Sequence, residues 1–116
     1  MVKVLVVLAL SMVLLPGAPA NAYTDSDVER VRGYAAVLGR AGACGSFMEE
    51  EVLKVAAWME ITFKAETEQF LEVFFQEYEQ NVALQKSGST GDDCSKVAKN
   101  AAAIQWPRIN VGIGKD

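Results

Sequence analysis

Cys44 and Cys94 are the only cysteines in this 116-residue chain, and fifty residues separate them. If they are joined, the chain closes into one large ring, and every admissible fold must bring position 44 beside position 94. Whether they join depends on the compartment, because thiols stay reduced in the cytosol and oxidise outside it. The opening residues bear on that question. Met1-Val2-Lys3 precede an apolar run from Val4 to Leu15, Pro16 and Gly17 break it, and Ala20-Asn21-Ala22 sets small residues at a signal-peptidase spacing. The pattern predicts a secretory signal peptide over residues 1–22, cleaved after Ala22. A membrane anchor fits less well, since a run of twelve is too short to cross about 30 Å of hydrocarbon as a helix. No basic stop-transfer cluster follows it, and no cysteine near the cleavage position invites a lipid. Export predicts a periplasmic or secreted location, and there an even pair of cysteines predicts a Cys44–Cys94 disulfide. A redox pair would sit two residues apart in one turn, and a nucleophilic thiolate would want an imidazole that this histidine-free chain lacks. Closing a loop of this length contributes about 4 kcal/mol in the chain-entropy account.

The mature chain, Tyr23–Asp116, has 94 residues, enough for one small domain. The stretch the domain is organised around is Phe70–Val82, where Leu71, Phe74, Phe75, Tyr78 and Val82 recur at offsets of three and four, widened by Phe70 and Val73. Such a helix needs covers. Ser26 with Glu29 forms a capping-box pattern ahead of a first helix of about sixteen residues carrying Val28, Val31, Ala35 and Leu38. Gly39 and Gly42 are poor helix formers, and their predicted use is to let another backbone come close. Gly45 stops that helix, and Ser46 with Glu49 repeats the capping pattern ahead of Met48, Val52, Val55, Ala56, Met59 and Phe63. Nothing from Ser46 to Leu84 is Gly or Pro, so a single helix of 39 residues is the alternative reading. It would run about 58 Å, against a radius of gyration of about 12–13 Å for a globule of this size. A turn is therefore expected within Ile61–Glu68, with Thr62 or Thr67 capping the new helix. After the Ser87–Gly91 loop, Asp92 and Asp93 cap a fourth helix bearing Cys94, Val97, Ala98, Ala101 and Ile104, which Pro107 ends. Trp106 is expected to tuck back onto the bundle. The expected architecture is all-α: a compact bundle of about four helices over residues 23–106, closed by one disulfide, with residues 107–116 as a mobile tail.

Charge narrows the function. Between Ser46 and Leu84 nine glutamates face only Lys54 and Lys64, a local net of −7. That surface repels phosphate backbones and anionic headgroups, so no nucleic acid and, after signal cleavage, no membrane is expected as a partner. Glutamates 49–51 suit the first turn of a helix without any acidic site. The absence of histidine removes the usual triads, imidazole-held zinc or haem, and the neutral-pH proton shuttle. The carboxylate pairs Glu68/Glu72 and Glu49/Glu60 fall on faces that read as exposed, away from the half-dry cleft that acid–base work needs. Met48 and Met59 lie on one helical side and could hold Cu(I) as thioethers, though core filling explains them better. No catalytic residue, metal site or cofactor is expected.

The run Tyr34–Gly45 (YAAVLGRAGACG), followed by Phe74, Tyr78 and Cys94, resembles small exported two-cysteine helical proteins of Gram-negative bacteria. The resemblance implies an all-α domain outside the cytoplasm and no active site. The cysteine spacing is also similar to that of periplasmic acid-stress chaperones, although this chain is more acidic and shares no other motif with them. The leading expectation is a non-enzymatic interaction or envelope-stress protein, monomeric or homodimeric, working on a protein partner the sequence does not identify. In a chaperone version, protonating Glu68 and Glu72 would loosen helix contacts, and without histidine only well below neutral pH. The alternative is a carrier holding a small apolar ligand against Met59, Phe70, Phe74 and Tyr78.

Overall fold

The computed structural model describes residues 23–109, so the predicted signal peptide and residues 110–116 of the predicted tail lie outside the described residues. Within them the chain forms four α-helices: α1 (Asp25–Ala43), α2 (Glu49–Phe63), α3 (Thr67–Lys86) and α4 (Cys94–Ala103), with a 3₁₀ turn, Lys64–Glu66, between α2 and α3. None of the described helices is long and apolar enough to cross a membrane.

The helix ends follow local chemistry, with two corrections to the sequence reading. Thr24, rather than Ser26, caps α1. Asp27 donates its backbone N–H to Thr24 Oγ1 at 3.2 Å, and Thr24 N–H returns a bond to Asp27 Oδ2 at 3.0 Å. This frame sits two residues earlier and sets Tyr23 against Phe63 and Phe70, at ring-centroid distances of 4.9 and 5.3 Å. The second correction concerns Ser46, which does not cap α2. It closes α1 instead: Ser46 N–H bonds Ala41 O at 2.9 Å and Gly45 N–H bonds Gly42 O at 3.0 Å, with Gly45 at φ +87°. That pair is a Schellman motif. The chain then runs on through Phe47, and α2 starts behind Met48 with no side-chain cap. The same motif ends α3, through Ser89 N–H to Leu84 O and Gly88 N–H to Gln85 O. Asp93 caps α4 as expected, accepting Lys96 N–H at 2.9 Å.

The break between α2 and α3 falls inside the expected window. Lys64 turns the chain with φ +51°, and Thr67 secures the corner in an unexpected role. Its hydroxyl donates to Lys64 O at 2.7 Å and lies 3.4 Å from Met59 O, tying off the corner and leaving α3 uncapped.

α1 and α3 form the principal packed pair, and α2 folds back along α3 as a helical hairpin that also touches α1. Close approach at the α1–α3 crossing depends on Gly39, whose missing Cβ would collide with the backbone carbonyl of Tyr78. The interior consists of Val31, Tyr34, Ala35 and Leu38 from α1, Val55, Met59 and Phe63 from α2, and Phe70 and Phe74 from α3. The buried side of α3 is rotated from the expected one. Phe70, Phe74 and Asn81 point inward, whereas Phe75 lies outside. Asn81 explains the rotation: its Oδ1 accepts Arg40 Nε–H at 2.9 Å, and its amide donates to Glu77 O at 2.9 Å and Glu77 Oε2 at 3.1 Å. A satisfied amide can occupy an interior position that apolar periodicity would give to a hydrocarbon.

α4 is attached differently. It packs on α1 alone among the helices and buries only Val97 and Ala101. Those two side chains contribute roughly 2–3 kcal/mol together, less than the disulfide's roughly 4 kcal/mol. Cys44 follows the last residue of α1 and Cys94 opens α4, with Cα atoms 5.7 Å apart across the bond. Beyond α4, Trp106 folds back as expected, stacking on Tyr34 at 5.4 Å and donating Nε1–H to Ala101 O at 3.2 Å.

Candidate functional site

The residues singled out for an apolar ligand come together, but as interior. Met59 is fully buried, and Phe70 and Phe74 nearly so. Phe70 stacks on Phe63 at 4.2 Å, and Phe74 lies near-parallel to Tyr78 at 6.2 Å. Tyr78 is half-buried, its hydroxyl directed at Gly42 of α1. Free space beside Met59 and Phe74 amounts to about 30 Å³, room for about one water and no ligand. Met48 packs against the same interior that holds Met59.

A larger opening lies elsewhere. A groove of about 330 Å³ runs beside the disulfide, walled by Ala41 and Cys44 at the end of α1, Met48 on the connector, and Cys94, Val97 and Ala101 of α4. Its lining is almost wholly apolar because α4 is alanine-rich: small side chains leave space where α4 meets the α1–α2 corner. Nothing titratable faces into it.

A polar cluster elsewhere links α1 to the segment after α4. Arg30 lies over the Trp58 ring at 4.8 Å and donates to Tyr34 Oη at 2.8 Å, and that hydroxyl is 3.4 Å from Gln105 O. This arrangement pins the segment after α4 to α1. The neighbouring Glu66 carboxylate holds the Tyr23 hydroxyl above its ordinary pKa, and partial burial adds to the effect. The buried Oε1 of Glu66 has no hydrogen-bond partner of its own. Glu49, Glu60, Glu68 and Glu72 are all exposed, as read from sequence. Among the described residues no group of three or more metal-ligating side chains converges.

The other unusual feature is apolar surface. Phe47, Ile61 and Phe75 are 64%, 61% and 53% exposed, and Leu53 joins them at 38%. All four belong to the α2–α3 hairpin and its lead-in. On α2, Leu53, Ala57 and Ile61 form a solvent-side row behind the core row of Val55, Met59 and Phe63. Over the same small space that reaches Met59 and Phe74, Val52 and Ala56 of α2 face Leu71 and Phe75 of α3, and Phe75 stands out into solvent. Periodicity did not identify these residues because it placed Phe75 inside. The available signal was α2 itself, apolar on nearly every side, which in an outer helix leaves a face without cover.

Comparison with protein-family profiles, with curated proteins and with solved structures gives no match to this chain.

Proposed function

We propose that this chain is a non-enzymatic interaction protein of an oxidising compartment outside the cytoplasm, and that its α2–α3 hairpin engages apolar segments of other proteins. The carrying observation is three large apolar side chains, Phe47, Ile61 and Phe75, each more than half exposed on one hairpin and its lead-in. Large apolar side chains gathered on one element and left in water are what a contact surface for other proteins offers. The Cys44–Cys94 bond supports the compartment, since disulfides persist where thiols are not kept reduced. The sequence adds the signal-peptide pattern of residues 1–22. The test is suppression of aggregation of an unfolding client protein, followed by light scattering at neutral and acidic pH. Wild type is expected to suppress it, and an Ile61→Ser/Phe75→Ser variant with unchanged circular dichroism to lose most of the effect. A wild-type protein inert at every pH overturns the reading.

A second reading has one observation in its favour. The groove beside the disulfide, about 330 Å³, reaches the lower end of the range for small-molecule sites, about 300–1,000 Å³, and suits a compact apolar ligand. Native mass spectrometry of protein purified without detergent decides it: a bound mass of a few hundred daltons supports a carrier, and a bare protein removes it.

A further inference from the structure

The hairpin cleft has a structure beyond being apolar. Along α2, Glu49, Val52, Ala56 and Glu60 follow one another at helical spacing, and along α3, Glu68, Leu71, Phe75 and Glu79 do the same. Val52, Ala56, Leu71 and Phe75 line the cleft, and all four glutamates are exposed. Glu72 lies one turn from both Glu68 and Phe75 on α3 and is exposed too. The result is a short apolar floor, with Phe75 standing out of it, closed at both ends by carboxylates from the two helices.

We propose that this cleft is a docking site for a cationic amphipathic helix, a partner segment with an apolar stripe flanked by lysines or arginines. The proposal rests on the interaction reading above and names the chemistry of its partner. Charge complementarity selects that occupant. Glu49, Glu60, Glu68, Glu72 and Glu79 are the exposed carboxylates around the cleft, so a second copy of this face would bring like charges together, whereas basic residues flanking an apolar stripe would meet carboxylates at each end. The α3 row from Glu68 to Glu79 spans about 17 Å, the length of roughly three helical turns. Phe75 is the anchor, because a large aromatic that becomes buried on association carries a disproportionate share of binding energy.

The experiment is isothermal titration of the intact, oxidised protein with three synthetic helical peptides sharing one leucine stripe and carrying lysine, glutamine or glutamate flanks. The lysine peptide is expected to bind at least about tenfold more tightly than the glutamine peptide, to weaken as salt rises, and to outcompete the glutamate peptide altogether. Phe75→Ser should weaken the lysine peptide by about tenfold or more. The combination Glu68→Gln, Glu72→Gln and Glu79→Gln, which leaves the apolar floor intact, should remove most of the preference for lysine while leaving the glutamine peptide unaffected. Equal binding of all three peptides overturns the proposal but leaves the interaction reading standing. Absence of binding by any peptide counts against both. If sedimentation velocity shows a dimer that Phe75→Ser converts to monomer, a second copy occupies the cleft and the proposal fails.

Discussion

Lys64 is the one residue other than glycine with positive φ among the described residues, at φ +51° and ψ −115°. A side chain there pushes Cβ against its own backbone, at a cost of roughly 1–3 kcal/mol that the surrounding corner must sustain. The corner does so with Thr67, whose hydroxyl donates to Lys64 O and lies near Met59 O, and with Lys64 Nζ on Ile61 O at 3.2 Å. Lys64→Gly is therefore expected to stabilise the protein by about 1 kcal/mol, raising the calorimetric midpoint by roughly 4–8 °C for a domain this small. An unchanged midpoint would mean that the lost lysine contact offsets the relieved strain. At this scale the sequence was ambiguous where two residues compete for one job. Thr24 and Ser26 both stand three residues before an acid, and only the packing of Tyr23 on Phe63 and Phe70 decides between them. Ser46 has the spacing of a cap for the helix after it, and nothing local reveals that it closes α1 and that α2 opens only behind Met48.

Between elements, the α1–α3 contact is set by two glycines with different neighbours. A methyl at Gly39 would strike the Tyr78 carbonyl, which α3 cannot move, and would sit 3.2 Å from Asn81 Cβ. At Gly42 it would meet the tip of the Tyr78 side chain, 2.6 Å from Oη, and that tip can swing away. Gly39→Ala is expected to lower stability by about 2–3 kcal/mol even after the better helix propensity of alanine. Gly42→Ala should stay within about 1 kcal/mol of wild type. Urea unfolding of the two variants checks the contrast, and equal losses would show that the helices do not cross at Gly39. The close approach itself was legible, because two glycines inside an otherwise strong helix call for an explanation. The four-helix order, the break within Ile61–Glu68 and the return of Trp106 were legible too, since each rests on local signals. The inward face of α3 was not. Apolar periodicity weighs Phe75 and Phe74 alike and has no way to value Asn81, whose place inside depends on Arg40 from another helix. The apolar cleft was hidden for the same reason: it exists only once α2 and α3 are folded on each other.

Taken whole, the molecule is a three-helix core with a fourth helix held at its start by one covalent bond and at its end by Ile104 and Trp106 packed on that core. Replacing both cysteines, Cys44→Ser with Cys94→Ser, is expected to lower stability by about 3–4 kcal/mol. Loss of amide-exchange protection should concentrate in residues 94–103, while α1 and α3 remain protected. A uniform loss across all four helices would show that α4 is integral to the core. The cysteine pairing was readable from two residues and their context, but its mechanical importance was not, because that depends on how little hydrocarbon Val97 and Ala101 bury. The order of assembly follows. Helices α1 to α3 supply every buried member of the main core cluster, so oxidation is expected to come late, sealing a body already formed rather than guiding the search for it. Newly made chains should then pass through a native-like reduced species with a trailing C-terminal arm, and the speed of maturation should be governed by the supply of oxidant.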